Sequence, residues 1–178
     1  MTKKELRAAM KKRNLSLSSE ERDAASERIF GRVERLPGFS AARCAAFFCA
    51  LPDEPQTGAA LARWSAAKRI VVPRVEGDAM RFYDYAPGEL CRGAFGIAEP
   101  SVAERPCDPA DIDFIVVPGV AFTAAGARMG RGRGYYDKYL SQSGFRGVKA
   151  GICYAHQLVG ELPVEPHDVF MDYVVTDD

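Results

Sequence analysis

Between residues 117 and 140 the chain reads VPGVAFTAAGARMGRGRGYYDKYL. Within it Arg128, Arg131 and Arg133 are interleaved with Gly126, Gly130, Gly132 and Gly134, and Tyr135, Tyr136 and Asp137 follow at once. Glycines let a backbone turn its N–H groups toward a ligand with no side chain in the way. Arginines add permanent charge and forked donors that match phosphate oxygens. A carboxylate beside a bound phosphate repels it unless a cation lies between them. Magnesium is the hard ion that prefers carboxylate and phosphate oxygens. These residue types point to a phosphate or nucleotide site with a metal ion at Asp137.

Two elements must position this loop. Asp113-Phe114-Ile115-Val116-Val117 is short, rich in β-branched residues and closed by Pro118-Gly119, which predicts a buried strand entering it. Residues 135–140 predict a helix leaving it, whose N-terminus would add partial positive charge. Arg-Gly alternation also marks disordered RNA-binding segments. Here it is brief and framed by a strand and an aromatic helix, which favours an ordered anion site. The spacing fits neither the Walker pattern nor the dinucleotide Gly-x-Gly-x-x-Gly fingerprint, so by themselves the residues name no reaction. One alternative is a non-catalytic nucleotide- or RNA-binding module that uses the Gly/Arg loop. Another is a sugar-phosphate isomerase or acyl-CoA-type transferase on a similar scaffold, against which the paired aspartates argue.

Composition narrows the choice. The 178 residues carry 24 basic and 24 acidic side chains, a formal net charge of zero. Bulk nucleic-acid binding needs a broad basic surface, so the arginine cluster is a local feature of a neutral protein. One domain over 1–178 with a sizeable core is expected. No run is apolar enough to span a bilayer, and MTKKELRAAMKKR lacks the apolar region of a secretory signal. Five cysteines (Cys44, Cys49, Cys91, Cys107 and Cys153) show no Cys-x-x-Cys spacing and read as free thiols in a reducing cytoplasm.

The remaining elements follow from periodicity. Thr2 caps a helix running to about Arg13 with a narrow stripe of Leu6, Ala9 and Met10; alone, it reads as a solvated basic helix. Ser18 and Glu21 form a capping box for a second helix toward Leu36. The run Ala45-Ala46-Phe47-Phe48-Cys49-Ala50 predicts a buried strand that opens into the acidic turn Pro52-Asp53-Glu54. In parallel α/β sheets ligands lie past the carboxyl ends of strands, which places Glu54 where a substrate is met. Thr57 is expected to cap a third helix that buries Trp64. Strands follow at residues 70–74 and 80–85, the second antiparallel, and then at 149–154 and 169–176. Asp168 is a second candidate metal ligand, and His156 and His167 read as structural hydrogen-bonding residues. Alternating helices and apolar strands indicate a three-layer αβα sandwich with a mainly parallel, mixed sheet.

Taken together, these segments resemble the 5-formyltetrahydrofolate cyclo-ligase (methenyltetrahydrofolate synthetase) family nearly end to end. The resemblance rests on KKELR at residues 3–7, Pro52-Asp53-Glu54 with Thr57, Lys68 with Val72-Pro73-Arg74, and GIAEP at 96–100. It continues through PGVAF at 118–122, GARMGRGRGYYD at 126–137, and Pro166-His167-Asp168 with Asp172. It implies a single α/β domain that uses ATP and magnesium to convert 5-formyltetrahydrofolate to 5,10-methenyltetrahydrofolate, releasing ADP and phosphate. Small molecules are the implied partners, with no nucleic acid and no membrane, and a cytoplasmic monomer is expected. By motif, Lys3, Arg7 and the run Arg128, Met129, Gly130, Arg131, Gly132, Arg133, Gly134, Tyr135 and Tyr136 would bind ATP. Arg131, Arg133 and Tyr135 would serve catalysis. Glu54 and Phe95, with Arg131 and Tyr135, would meet the folate, and Asp137 and Asp168 would hold magnesium. Thr123 stands where the family usually has Asp, and Met129 where it often has Leu.

Overall fold

The computed structural model describes residues 1–86, 90–92, 98–100 and 105–178. Its sheet has six strands: β1 (Cys44–Ala46), β2 (Arg69–Glu76), β3 (Ala79–Asp84), β6 (Phe114–Val117), β9 (Val148–Ile152) and β10 (Tyr173–Val175). Their spatial order is β10-β9-β6-β1-β2-β3. All neighbours pair in parallel except β2 and β3, an antiparallel pair turned at Gly77. The sheet is therefore mixed and mostly parallel, as the alternating pattern predicts. Two short antiparallel pairs stand apart from it, β4 (Leu90–Arg92) with β5 (Ala98–Pro100) and β7 (Ala121–Phe122) with β8 (Arg128–Met129).

Side chains alternate across the strands and so divide the core into two faces. On one face Ala45, Phe47, Ile70, Val72, Phe114 and Val116 meet α2 (Ser19–Val33) and α3 (Gly58–Ser65) through Ile29, Phe30, Leu61 and Trp64. On the other, Ala46, Val71, Phe82, Ile115 and Val117 meet Tyr139 and Leu140 of α4 (Tyr135–Leu140). Trp64 is core, as expected, and its indole N–H donates to Glu34 Oε1 at 2.6 Å.

The Ser18–Glu21 capping box opens α2 as read, and the Thr2 cap of α1 (Lys3–Leu15) is completed to a full box by Glu5. Three expectations change. Thr57 makes no side-chain cap on α3, because its hydroxyl accepts the Ala50 N–H at 3.0 Å and so holds the turn after β1. The first and last predicted strands shorten to three residues each, since the chain leaves the sheet to build the loops beyond it. The basic helix α1 is not simply solvated: Met10 is buried and Leu6 partly so against Val120, Ala121 and Met129 of the β7–β8 hairpin. That contact lays α1 across the end of the sheet rather than on either face. No helix among the described residues is long and apolar enough to cross a membrane.

Candidate functional site

The parallel strands β1, β6 and β9 all deliver their carboxyl ends to one edge of the sheet, and the candidate residues gather there. Beyond β1 the chain turns through Pro52-Asp53-Glu54. Beyond β6 it forms the hairpin and the Gly/Arg loop. Beyond β9 it makes a short 3-10 turn, Ala155–Gln157.

The hairpin explains how the loop is aimed. The Thr123 N–H donates to the Ala127 carbonyl at 3.0 Å, and the Thr123 hydroxyl accepts the Ala127 N–H at 3.1 Å. A hydroxyl thus performs the turn-bracing that an Asp side chain performs elsewhere. Gly126 sits inside this turn at φ +98°, where a Cβ would stand 2.3 Å from the Met171 carbonyl oxygen. Only glycine fits. The turn is thereby pressed onto the segment that carries Asp168. Farther along, Gly132 and Gly134 take φ +103° and +72°, bending the chain into the six-residue α4. So short a helix carries only a small dipole, and charge at the loop comes mainly from arginine.

Those arginines are not alike. Arg128 turns inward: its Nε donates to the Pro118 carbonyl at 2.7 Å and its guanidinium lies 5.1 Å from the centroid of the Tyr136 ring. Burial pulls its pKa down, while Asp137, Tyr136, Glu54 and Asp168 act in the opposite sense. Arg131 reaches the acidic turn, with Nη2 at 3.0 Å from Asp53 Oδ1 and 3.1 Å from Glu54 Oε1. Arg133 is exposed on the outer rim. Arg7, from α1, donates its Nε to the Gly130 carbonyl at 3.0 Å, so α1 is tied to the loop itself. Lys3, at the start of α1, pairs with Glu165 Oε1 at 3.2 Å, beside Asp168.

Glu54 is 7% exposed and Asp53 8%, two adjacent carboxylates almost out of water. Burial pushes the Glu54 pKa up, and Arg131 together with the Leu51 N–H pulls it part of the way back. Leu51 N–H donates to Glu54 Oε2 at 2.9 Å, and the Tyr154 hydroxyl donates to the Glu54 carbonyl at 3.1 Å. Asn14 donates to the Asp53 carbonyl at 2.9 Å, and His156 hydrogen-bonds Asn14 in turn. Burial, and then the charge of Arg13, depresses the His156 pKa, so the ring is neutral and structural. A cavity of about 190 Å³ opens between α1 and this turn, bounded by Arg7, Asn14, Asp53, Val120 and Arg131.

Asp137 is tied at the far side of the loop to the residue that follows Asp168. Asp137 Oδ1 accepts the Val169 N–H at 3.1 Å, which draws the residue after Asp168 onto the first turn of α4. Asp168 Oδ2 accepts the Glu165 N–H at 2.8 Å, and His167 Nε2 is 3.6 Å from its other oxygen. Asp168 therefore sits in a polar turn.

Some predicted residues stand apart. The Met129 side chain is core beneath the hairpin, leaving only its backbone to the loop. Tyr135 leans outward, its hydroxyl 3.4 Å from the Gly77 carbonyl at the β2–β3 turn. Phe95 lies outside the described residues. Asp53, Asn14 and Tyr154 join the site without having been expected there. Asp53 stood beside Glu54 in the same acidic turn, whereas Asn14 and Tyr154 are brought in by tertiary contacts with no local signal.

Known proteins are similar to this chain in sequence and fold. A 5-formyltetrahydrofolate cyclo-ligase from Mycolicibacterium smegmatis is 30% identical over 183 aligned positions, covering 98% of this chain and 93% of that one. The NMR structure of Aquifex aeolicus 5,10-methenyltetrahydrofolate synthetase superposes with a TM-score of 0.87 at 36% identity, covering 99% of this chain and 90% of that one. The 5,10-methenyltetrahydrofolate synthetase from Mycoplasma pneumoniae gives 0.81 at 25% identity with both chains fully covered, 100% each. The family description "5-formyltetrahydrofolate cyclo-ligase family" matches residues 1–177, and the chain belongs to that family.

Proposed function

We propose that the carboxyl edge of the sheet binds ATP and 5-formyltetrahydrofolate together, and that ATP drives closure of the folate to 5,10-methenyltetrahydrofolate with release of ADP and phosphate. Cyclo-ligase activity follows from the family. The nucleotide, the metal and the residue roles are the reading argued from geometry. The observation that carries it is the Arg131 bridge, which joins the glycine-arginine loop to the buried Asp53–Glu54 turn. A phosphate-type loop and an acidic pocket suited to a nitrogen heterocycle thus share one guanidinium.

The chemistry needs little from the protein beyond placement and charge. A formamide oxygen is a poor leaving group. Transfer of the γ-phosphoryl group to that oxygen makes it a good one. The folate N10 then attacks the activated carbon, loses its proton and closes the ring, and inorganic phosphate departs. Arg131 and Arg133 lie where they can neutralise charge on the transferring phosphoryl group, while Lys3 and Arg7 approach the phosphate chain from α1. Glu54 faces the folate near the pterin. The product is an amidinium cation, and buried carboxylates beside it favour positive charge over the neutral precursor. Tyr135 and Tyr136 close the loop's aromatic end, and Phe95 is assigned to the folate by motif alone.

The donor set supports the metal assignment. Among the described residues no group of three or more His, Cys, Asp and Glu could cage a metal by itself. Two carboxylates, Asp137 and Asp168, both act on the charge of Arg128, and Asp137 holds the backbone next to Asp168. Magnesium is commonly held by one or two carboxylates, with substrate phosphates and water completing its shell. Bound there, magnesium would shield the carboxylates from the phosphate chain and polarise the phosphoryl oxygens.

No protein nucleophile is required, and the free cysteines and structural His156 agree with that. One domain acting as a cytoplasmic monomer is part of the same proposal. A turnover assay tests it: purified protein with 5-formyltetrahydrofolate, ATP and magnesium, followed by the near-ultraviolet absorbance of the methenyl product. Product is expected only when both ATP and magnesium are present. Product formed without ATP, or unchanged by a chelator, would overturn the co-substrate and metal assignments.

A further inference from the structure

The chain turns sharply after β9, and side chains of that turn reach both halves of the site. Gln157 closes the turn and is 2% exposed. Its Oε1 accepts the Tyr154 N–H at 2.8 Å, and its Nε2 donates to the Gly119 carbonyl at 3.1 Å and the Val120 carbonyl at 3.0 Å. One N–H against the oxygen and two carbonyls against the nitrogen fix which end of the amide is which. Gly119 and Val120 lie where β6 has ended and the hairpin begins, so the sheet offers their carbonyls no ladder partner. Val120 is also the root of the hairpin, since its N–H donates to the Met129 carbonyl at 2.8 Å. Val120 and Met129 in turn seat Leu6 and Met10 of α1. Gln157 therefore holds the backbone from which both the Gly/Arg loop and Arg7 are aimed. Its side chain borders the cavity of about 190 Å³ together with Arg7 and Arg131.

The same turn holds the acidic side with different groups. The Tyr154 hydroxyl donates to the Glu54 carbonyl at 3.1 Å. His156 reaches the Asp53 carbonyl through Asn14.

We propose that Gln157 is a positioning residue for the nucleotide half of the site and Tyr154 for the folate half, so that one turn after β9 sets the spacing of the two co-substrates. This rests on the reading of the Gly/Arg loop as the ATP site and of the acidic turn as the folate site. Each residue acts through the backbone it holds, Gln157 through Gly119 and Val120, Tyr154 through Glu54. Glutamine suits the task because it carries two N–H donors and an acceptor at one tip. Asparagine is a methylene short, and an ionised glutamate brings no donor. Removing the amide does not free the hairpin outright, because the Val159 N–H still donates to the Phe122 carbonyl at 2.8 Å. What is lost is the fixed position of its root.

The test uses the full chain with ATP and 5-formyltetrahydrofolate each varied against a saturating level of the other. Gln157→Met keeps length and burial but no hydrogen bond. It is expected to raise KM for ATP about tenfold or more while KM for the folate stays within about twofold. Tyr154→Phe loses only the hydroxyl and is expected to do the reverse, raising KM for the folate about three- to tenfold. A protein that is only less stable loses active fraction, which lowers kcat and moves neither KM. That result, or shifts shared equally by the two co-substrates, would overturn the proposal. Gln157→Glu gives a second readout that does not need the Met variant to fold. Protonated, its carboxyl donates to one of the two carbonyls; ionised, it sets a negative charge against both. Its KM for ATP, divided by that of the parent at the same pH, should climb between about pH 6 and pH 9, and a flat ratio would count against the positioning role. A parent that turns over without ATP overturns the underlying reading as well, whereas an ATP-dependent parent whose variants show no split overturns the positioning role alone.

Discussion

Replacing Arg131 by Met isolates the interaction that joins the two halves of the site. The guanidinium now bridges Asp53 at 3.0 Å and Glu54 at 3.1 Å. Arg131→Met keeps the aliphatic stem but leaves two adjacent carboxylates, 8% and 7% exposed, without their cation. Stripping one partner from a fully buried pair costs about 3–5 kcal/mol. The Arg131 side chain is 42% exposed, so solvent already screens part of its charge and a cost of about 2 kcal/mol is expected at pH 8. For a chain of this size that is a fall in Tm of roughly 4–8 °C. The pH dependence is the sharper signature. The Glu54 pKa is raised in the folded protein, with burial the largest cause. Its contribution to stability is therefore fully present below the unfolded carboxyl range and is lost as pH rises through the folded pKa. Without Arg131 the folded pKa moves higher still, so the variant loses stability over a range of pH where the parent does not. The gap between the two should be wide at pH 8 and narrow toward pH 5. Urea unfolding of both proteins across that range measures it. Glu54→Gln should recover much of the loss at pH 8 when combined with Arg131→Met, since one of the stranded charges is then gone. A gap that does not change with pH, or a double variant whose losses simply add, would refute the bridge as the source of the effect.

Three further outcomes follow from the same geometry. Asp137→Asn keeps an oxygen that can accept the Val169 N–H, so melting should change little while turnover falls more than about 100-fold and more magnesium is needed for half-maximal rate, as a magnesium titration would show. Arg133→Ala, on the exposed rim, should lower turnover by about 10²–10³-fold with an unchanged circular dichroism melt, and near-normal turnover would remove it from the site. Gly126→Ala forces a Cβ to 2.3 Å from the Met171 carbonyl at φ +98°, so a loss of at least ~2 kcal/mol is expected by chemical denaturation, with turnover falling alongside stability.

How much of this was legible in the sequence depended on whether the cause was local. The Thr2 cap of α1, the capping box of α2, the apolar run of β6 and the glycine punctuation of the loop act within a few residues and are legible in the sequence. Thr57 misled because its hydroxyl had a stronger claimant in the Ala50 N–H, seven residues back, than in the helix ahead. The β7–β8 hairpin was missed because each strand is two residues long, too short to show a period. The role of α1 was invisible for a related reason. Its stripe of Leu6 and Met10 is narrow, and the surface it covers does not exist until the hairpin forms. In the site, Glu54 and the arginines were picked out by residue type and motif. The inward turn of Arg128 onto Pro118 and the reach of Tyr154 to the Glu54 carbonyl were not, because the partners lie 10 and 100 residues away.

The way the arginines are held bears on how the loop would accept the proposed polyanion. An arginine fixed by a carboxylate has its charge largely cancelled, whereas one fixed by a carbonyl is oriented and stays cationic. Arg7 rests on the Gly130 carbonyl and Arg128 on the Pro118 carbonyl, each using Nε as the anchoring donor. That choice leaves the terminal nitrogens of the fork for other acceptors. Among the described residues Arg131 alone of these three is bridged to carboxylates, and those carboxylates belong to the acidic turn and not to the loop. The loop therefore keeps net positive charge on one side, and the acidic turn has its negative charge only partly offset on the other. A protein of zero formal net charge thus carries a local separation of charge at one edge of its sheet. The proposed reaction, which joins a phosphate chain to a substrate destined to become a cation, would draw on that separation, with Arg131 spanning the two sides.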